Sequence, residues 1–143
     1  MIQKAAHMPG SPTIFDPVRR KEVRRTPEEE VRQAVISMLL NGCGVPLTHI
    51  ASEYSFKFND LQYRADVVVF DRALRPVMLV ECKAPQVTLS EEVVMQTIRY
   101  NYVLNVPFIF ITNGNLFYLC RRDSEGRYQP ERKMPSFEEL CNL

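Results

Sequence analysis

The stretch from Arg64 to Pro85, RADVVVFDRALRPVMLVECKAP, restricts the fold more than any other part of the chain. Val67, Val68, Val69 and Phe70 form one β-branched and aromatic run, and Val77, Met78, Leu79 and Val80 form a second. Asp71, Arg72 and Pro76 supply turn chemistry between them, so the stretch reads as two strands. Runs this apolar belong in a sheet covered on both faces. Yet Asp66 opens the first strand, and Glu81 and Lys83 close the second. Alternation along a strand puts Glu81 and Lys83 on one face and Cys82 on the other. If the strands pair as a hairpin, Asp66 lies near Glu81 and Lys83. Charges placed at the edge of an apolar sheet are costly unless they pair with one another or bind a cation.

The flanking segments supply the rest of an α/β or α+β architecture, a mixed central sheet with helices on it. Residues 1–25 contain Pro9, Pro12 and Pro17 and read as an extended arm. Arg19, Arg20, Lys21, Arg24 and Arg25 make the arm basic, suited either to contacting phosphates or to a solvated segment along the body. Residues 26–143 form one domain. Thr26-Pro27-Glu28-Glu29 starts a helix, with Thr26 as cap and Pro27 in the first helical position. The helix runs to about Asn41 and stops at Gly42, with Val31, Ala34, Val35, Met38 and Leu39 as its apolar stripe. Glu28 projects toward that stripe and could reach a site on the sheet, whereas Glu29 and Glu30 point to solvent. Equally, all three acids favour the positive end of the helix dipole.

Residues 50–58 alternate as a half-exposed strand, and Asn59-Asp60 turns it into the strand that ends at Asp71. A second helix is predicted from about Leu89 to Leu104 with Ser90 as cap. Its inward stripe is Leu89, Val93, Gln96, Tyr100 and Leu104. Gln96 is the odd member: it is either a satisfied core amide or part of a site shared with Tyr100, one turn on. Pro107–Thr112 is a further buried strand, and Asn113-Gly114 turns it into Leu116–Cys120. A short terminal helix begins near Ser136.

Other function classes find little support. A formal net charge of +1 over 143 residues gives no general attraction to nucleic acid. Cys43, Cys82, Cys120 and Cys141 are scattered, and the histidines are His7 and His49, so neither a zinc site nor a disulfide framework is expected. Reduced thiols fit a cytoplasmic protein. Neither a membrane span of about 20 apolar residues nor a secretory signal core is visible, and GxxxxGK is absent. What remains is an aspartate and a glutamate on adjacent strand ends, hard oxygen ligands suited to Mg2+. Lys83 beside them could orient or deprotonate a water and offset charge growing on phosphorus. This is equipment for phosphodiester hydrolysis.

Asp66, followed by Glu81-Cys82-Lys83, resembles the signature of the PD-(D/E)XK nucleases. The run TPEEEVRQ from Thr26 to Gln33, the QxxxY element Gln96–Tyr100 and the Asn113-Gly114 turn make it similar to the N-terminal nuclease domain of type I restriction enzyme R subunits. The resemblance implies a restriction-endonuclease-like core and DNA cleavage dependent on Mg2+, with Mn2+ able to replace it. It implies Asp66 and Glu81 as metal ligands, Lys83 as the catalytic lysine, and Gln96 and Tyr100 as residues positioning DNA or the site. A helix glutamate, Glu28 in preference to Glu29, completes the metal set. Ala65 stands where the signature often has proline. The chain is too short for the ATP-driven translocase of whole R subunits, so a separate translocase or specificity protein, or pairing as a homodimer, is expected. Two other readings stay open: a nuclease-fold DNA-binding or scaffolding protein with little turnover, and an oligomerising domain whose acids only form salt bridges.

Overall fold

The computed structural model describes residues 10–143. Its centre is the hairpin of β4 (Leu61–Phe70) and β5 (Pro76–Cys82), antiparallel with Val67 opposite Val80 and Val69 opposite Met78. β3 (Ile50–Phe58) joins β4 through Asn59 and Asp60, whose φ angles of 51° and 64° make the two-residue turn that right-twisted strands prefer. β6 (Phe108–Thr112) lies parallel to β5, and β7 (Phe117–Arg122) and β8 (Tyr128–Pro130) follow antiparallel. The result is a six-stranded mixed sheet in the order β3-β4-β5-β6-β7-β8. The parallel step needs a crossover, which α2 (Glu91–Asn101) provides.

Helices cover both faces, as the apolar strands require. α1 (Pro27–Asn41) contributes Val31, Val35, Ile36 and Leu39 to a core with Val67, Val69, Met78, Val80 and Cys82, and α3 (Phe137–Cys141) adds Phe137 and Leu140. The other face gathers Val68, Leu79, Ile109 and Ile111 under Leu89 and Val94. Consecutive residues of β4 and β5 thus divide between the two layers. The expected mixed sheet flanked by helices is the fold observed. Helix ends follow their caps: Thr26 Oγ1 accepts the Glu29 amide, Ser90 Oγ the Val93 amide, and Ser136 and Glu139 form a reciprocal capping box.

Four expectations are corrected. First, Thr13–Asp16 (β1) and Lys21–Arg24 (β2) pair as a hairpin, so the region is not an extended arm there. Pro12 and Pro17 flank its first strand and shape its ends. The part of the expected arm in residues 1–9, with His7, lies outside the described residues. Second, Ala34 is exposed and Ile36 is buried in the α1 stripe. Third, Glu29 is buried rather than solvent-facing. Fourth, α2 is rotated from its expected phase: Val94, Thr97 and Asn101 are buried, while Gln96 and Tyr100 are exposed. Asn101 donates to the Thr97 carbonyl at 3.1 Å, so it is this amide, one position round the helix, that is buried with a partner.

Candidate active site

Beyond the last paired residues of the central hairpin, Val67 and Val80, the side chain of Asp66 takes over from the ladder. Its Oδ2 accepts the Cys82 amide at 2.6 Å, which fixes the carboxylate against the end of β5. Ala65 and Val68 both pack in the α2-side core, so strict alternation slips across Asp66. Glu53, whose paired neighbours Ser52 and Tyr54 bracket it opposite Asp66, holds a left-handed φ of 50°. Such a conformation in a non-glycine residue stores strain of the kind that gathers at functional sites.

Glu81 reaches Asp66 through a side-chain hydrogen bond, and Lys83 Nζ stands 4.0 Å from Glu81 Oε2. Burial, reinforced by the charge of Asp66, pushes the Glu81 carboxyl up to about 8 against the opposing pull of Lys83. Glu28, at the start of α1, feels the same cluster. Partial desolvation raises its pKa first, Asp66 raises it further, and Arg32 and Lys83 work the other way. Cys82 is buried beneath, and that burial drives its thiol pKa well up.

The structure therefore brings Asp66, Glu81 and Lys83 together, with Glu28 in electrostatic reach. Glu29 is committed elsewhere: it pairs with Arg19 at 2.8 Å and Arg32 at 3.4 Å and accepts from Gln33 Nε2 at 2.9 Å. Gln96 and Tyr100 are exposed on α2, and among the described residues neither makes a hydrogen bond or ion pair to the charged cluster. Tyr100 packs on Tyr63 of β4, with ring centroids 5.1 Å apart. Sequence reasoning missed Arg32, whose Nη2 lies 3.4 Å from Asp66 Oδ1, and Glu53, whose Oε2 lies 3.6 Å from Arg32 Nη1. Arg32 stands within TPEEEVRQ, and its position one turn after Glu28 was the available signal.

The loop after Lys83 is pinned as well. The Lys83 amide donates to the Thr112 carbonyl at 2.9 Å, extending the β5–β6 pairing past the site. Buried Asn113 accepts the Asn115 and Leu116 amides and donates to the Val87 carbonyl.

Among the described residues, no three His, Cys, Asp or Glu side chains converge as a ready-made metal cage. Two carboxylates in hydrogen-bond contact, one with a strongly raised pKa, nevertheless form a donor set that suits a hard divalent ion. Mg2+ commonly takes only one or two carboxylates and fills its remaining positions with water and substrate phosphate. The residues present fit such an ion.

Fold and site together define a restriction-endonuclease-like domain. The family model described as the type I restriction enzyme R protein N terminus matches residues 27–135, well over half of the sequence. The chain belongs to that family. A fragment assigned to an HsdR subunit of a type I restriction enzyme from Vibrio vulnificus is structurally similar, with a TM-score of 0.56 and 22% identity. The similarity covers 80% of this chain and 24% of that one, so the chain spans about a quarter of the Vibrio fragment. A protein from Anabaena variabilis assigned as a nuclease of the DUF820 group has a TM-score of 0.50 at 14% identity, covering 94% of this chain and 93% of its own. Identities this low show the shared fold. Among curated proteins, none matches the sequence significantly.

Proposed function

We propose that this domain is a Mg2+-dependent endonuclease acting on DNA, with Asp66 and Glu81 as metal ligands, Glu28 as a supporting acid and Lys83 as the catalytic lysine. The observation that carries the reading is the contact between Asp66 and Glu81, with Lys83 beside them, on an otherwise apolar sheet. Family membership supports nuclease chemistry in general. A bound Mg2+ would supply Lewis acidity toward the scissile phosphate.

The remaining work falls to the chain. The Cys82 amide holds Asp66 Oδ2, leaving the carboxylate in a fixed orientation before substrate arrives. Lys83 is partly exposed and only loosely paired with Glu81, so its ammonium can turn toward an incoming phosphate. There it would orient a water for in-line attack and offset charge developing on the phosphoryl oxygens. The Glu81 carboxyl, which burial pushes up to about 8, would give up its proton to serve as a ligand if a cation were held there. Gln96 and Tyr100, exposed on α2, would contact DNA rather than the reacting phosphate.

The same reading expects a cytoplasmic protein, consistent with the lack of any helix among the described residues long and apolar enough to cross a membrane. It expects a translocase or specificity partner, or a homodimer, to bring the domain to DNA. The test is incubation of purified protein with duplex, single-stranded and branched DNA in Mg2+ or Mn2+, beside Asp66→Ala and Lys83→Ala. Metal-dependent cleavage lost in both variants supports the reading. Cleavage persisting in Lys83→Ala, or metal uptake unaffected by Asp66→Ala, overturns it.

A further inference from the structure

Arg19 lies in the turn of the β1–β2 hairpin, ahead of the residues that the family model matches. Its guanidinium nevertheless reaches into the charge network behind the site. It bonds to Asp16, which is 0% exposed, and pairs with Glu29 at 2.8 Å and Glu53 at 2.9 Å. The same two glutamates face Arg32, at 3.4 Å and 3.6 Å, so two arginines and two glutamates close a ring. Arg32 then extends from the ring to Asp66 Oδ1 at 3.4 Å.

The two arginines are held differently. Arg19 donates direct hydrogen bonds to Asp16, Glu29 and Glu53. The Arg32 side chain is only 6% exposed, yet its Nε and Nη1 make no hydrogen bond. Buried donors without acceptors are rare. Arg32 is therefore placed by three carboxylates at 3.4–3.6 Å, and its one side-chain hydrogen bond among the described residues is the long one from Nη2 to Asp66 Oδ1. Arg19 sets the balance among them by pairing with two of the three, Glu29 and Glu53, which weakens their pull on Arg32. Without it, Glu29 and Glu53 would draw Arg32 to themselves and away from Asp66.

We propose that Arg19 and Arg32 are positioning residues that act in series: the N-terminal hairpin, through Arg19, holds Arg32 where it orients the Asp66 carboxylate for the metal. The proposal rests on the nuclease reading, and it adds to the domain a brace that lies outside the matched family region.

Plain electrostatics and positioning give opposite signs here. Removing a nearby cation should tighten divalent-ion binding by charge alone, whereas removing a brace should weaken it. Mn2+ binding is measured by calorimetry on the wild-type chain, Arg19→Met, Arg32→Met and the double variant, with metal-free melting curves to check folding. Arg32→Met is expected to weaken Mn2+ binding roughly 10- to 100-fold, the range for partners that orient a metal ligand. Arg19→Met is expected to weaken it by about threefold to tenfold, below that range because it acts one step further out. The double variant should bind no more weakly than Arg32→Met, since the two share one route.

Unchanged or tighter binding by Arg19→Met overturns the proposal, and so does an additive double variant. Should Arg19→Met fail to fold, Arg19→Lys keeps the charge but lacks the rigid planar fork that spans the three carboxylates. Weaker binding by Arg19→Lys then supports the brace, and wild-type binding overturns it. If the wild-type chain takes up no Mn2+, the nuclease reading itself falls and the brace with it. Wild-type uptake that Arg19 does not influence removes the brace alone.

Discussion

Asp66 and Glu81 meet across the open end of the β4–β5 hairpin in carboxyl-to-carboxyl hydrogen-bond contact, while the backbone amide of Cys82 holds Asp66 Oδ2. Two acids this close are a standing cost to the metal-free fold. On the proposed nuclease reading the same contact is where a cation would bind, so function and stability would pull in opposite directions at one point.

That opposition can be measured through pH. The Glu81 carboxyl has a folded pKa of about 8 against an ordinary value of 4.5, raised by burial and then by Asp66. Between those values the folded state binds more protons than the unfolded state, so stability falls as pH rises through the window. Below pH 4.5 the contribution is fully present, and above about 8 it is gone. One pKa unit is worth about 1.4 kcal/mol, so Glu81→Gln should gain roughly 2–3 kcal/mol at pH 7 in metal-free protein. At pH 4 it should gain nothing. Denaturant titrations of both proteins at the two pH values check this, and a gain independent of pH would contradict it.

Lys83 separates chemistry from folding. Its side chain is partly exposed and its ion pair to Glu81 is 4.0 Å long. Lys83→Ala should therefore shift stability by no more than about 0.5 kcal/mol, as for most surface positions. Phosphodiester cleavage should fall by at least about 100-fold, the scale for losing a positioned acid–base group. Melting curves set beside a cleavage time course distinguish this from a lysine that only neutralises Glu81.

The contrast between these residues and the arginines shows what a linear chain discloses. Asp66, Glu81 and Lys83 sit at the ends of two apolar runs joined by a short turn, so hairpin pairing alone brings them together. Arg19, Glu29, Glu53 and Arg32 belong to a turn, a helix and an edge strand, and ion pairs between such elements leave no periodic trace. The β1–β2 hairpin was hidden because Pro12 and Pro17 read as breakers when they only bound its first strand. On α2 the apolar residues allow two faces about one residue apart. Choosing between them depended on whether Gln96 or Asn101 had a buried partner, which only the packing reveals.

The corrected phase of α2 gives Gln96 and Tyr100 a distinct expected behaviour. Gln96 is exposed, so Gln96→Ala should leave stability within about 0.5 kcal/mol of wild type. Tyr100→Ala should lose about 0.5–1.5 kcal/mol with its ring contact to Tyr63. If both touch DNA, each should weaken DNA binding by roughly threefold to tenfold, the worth of one hydrogen bond or ring contact. Anisotropy with labelled duplex in the Lys83→Ala background isolates binding from cleavage, and Mn2+ affinity should stay unchanged. Loss of metal affinity instead would place Gln96 inside the metal site.

Gly114 links the turn after β6 to the helix that carries Glu28 and Arg32. Its φ of +92° is a conformation that side chains avoid, and a Cβ there would lie 3.2 Å from Val31 Cγ2 on α1. Gly114→Ala should therefore cost about 1–2 kcal/mol from backbone conformation, with a further contribution from the crowded valine. Pairing it with Val31→Ala separates the two, because removing the valine methyls relieves the contact but not the backbone. Denaturation of the single and double variants should show coupling of about 0.5 kcal/mol or more, as for residues in direct contact. Strict additivity would mean that the turn does not press on α1, and that the helix bearing Glu28 is positioned by the sheet alone.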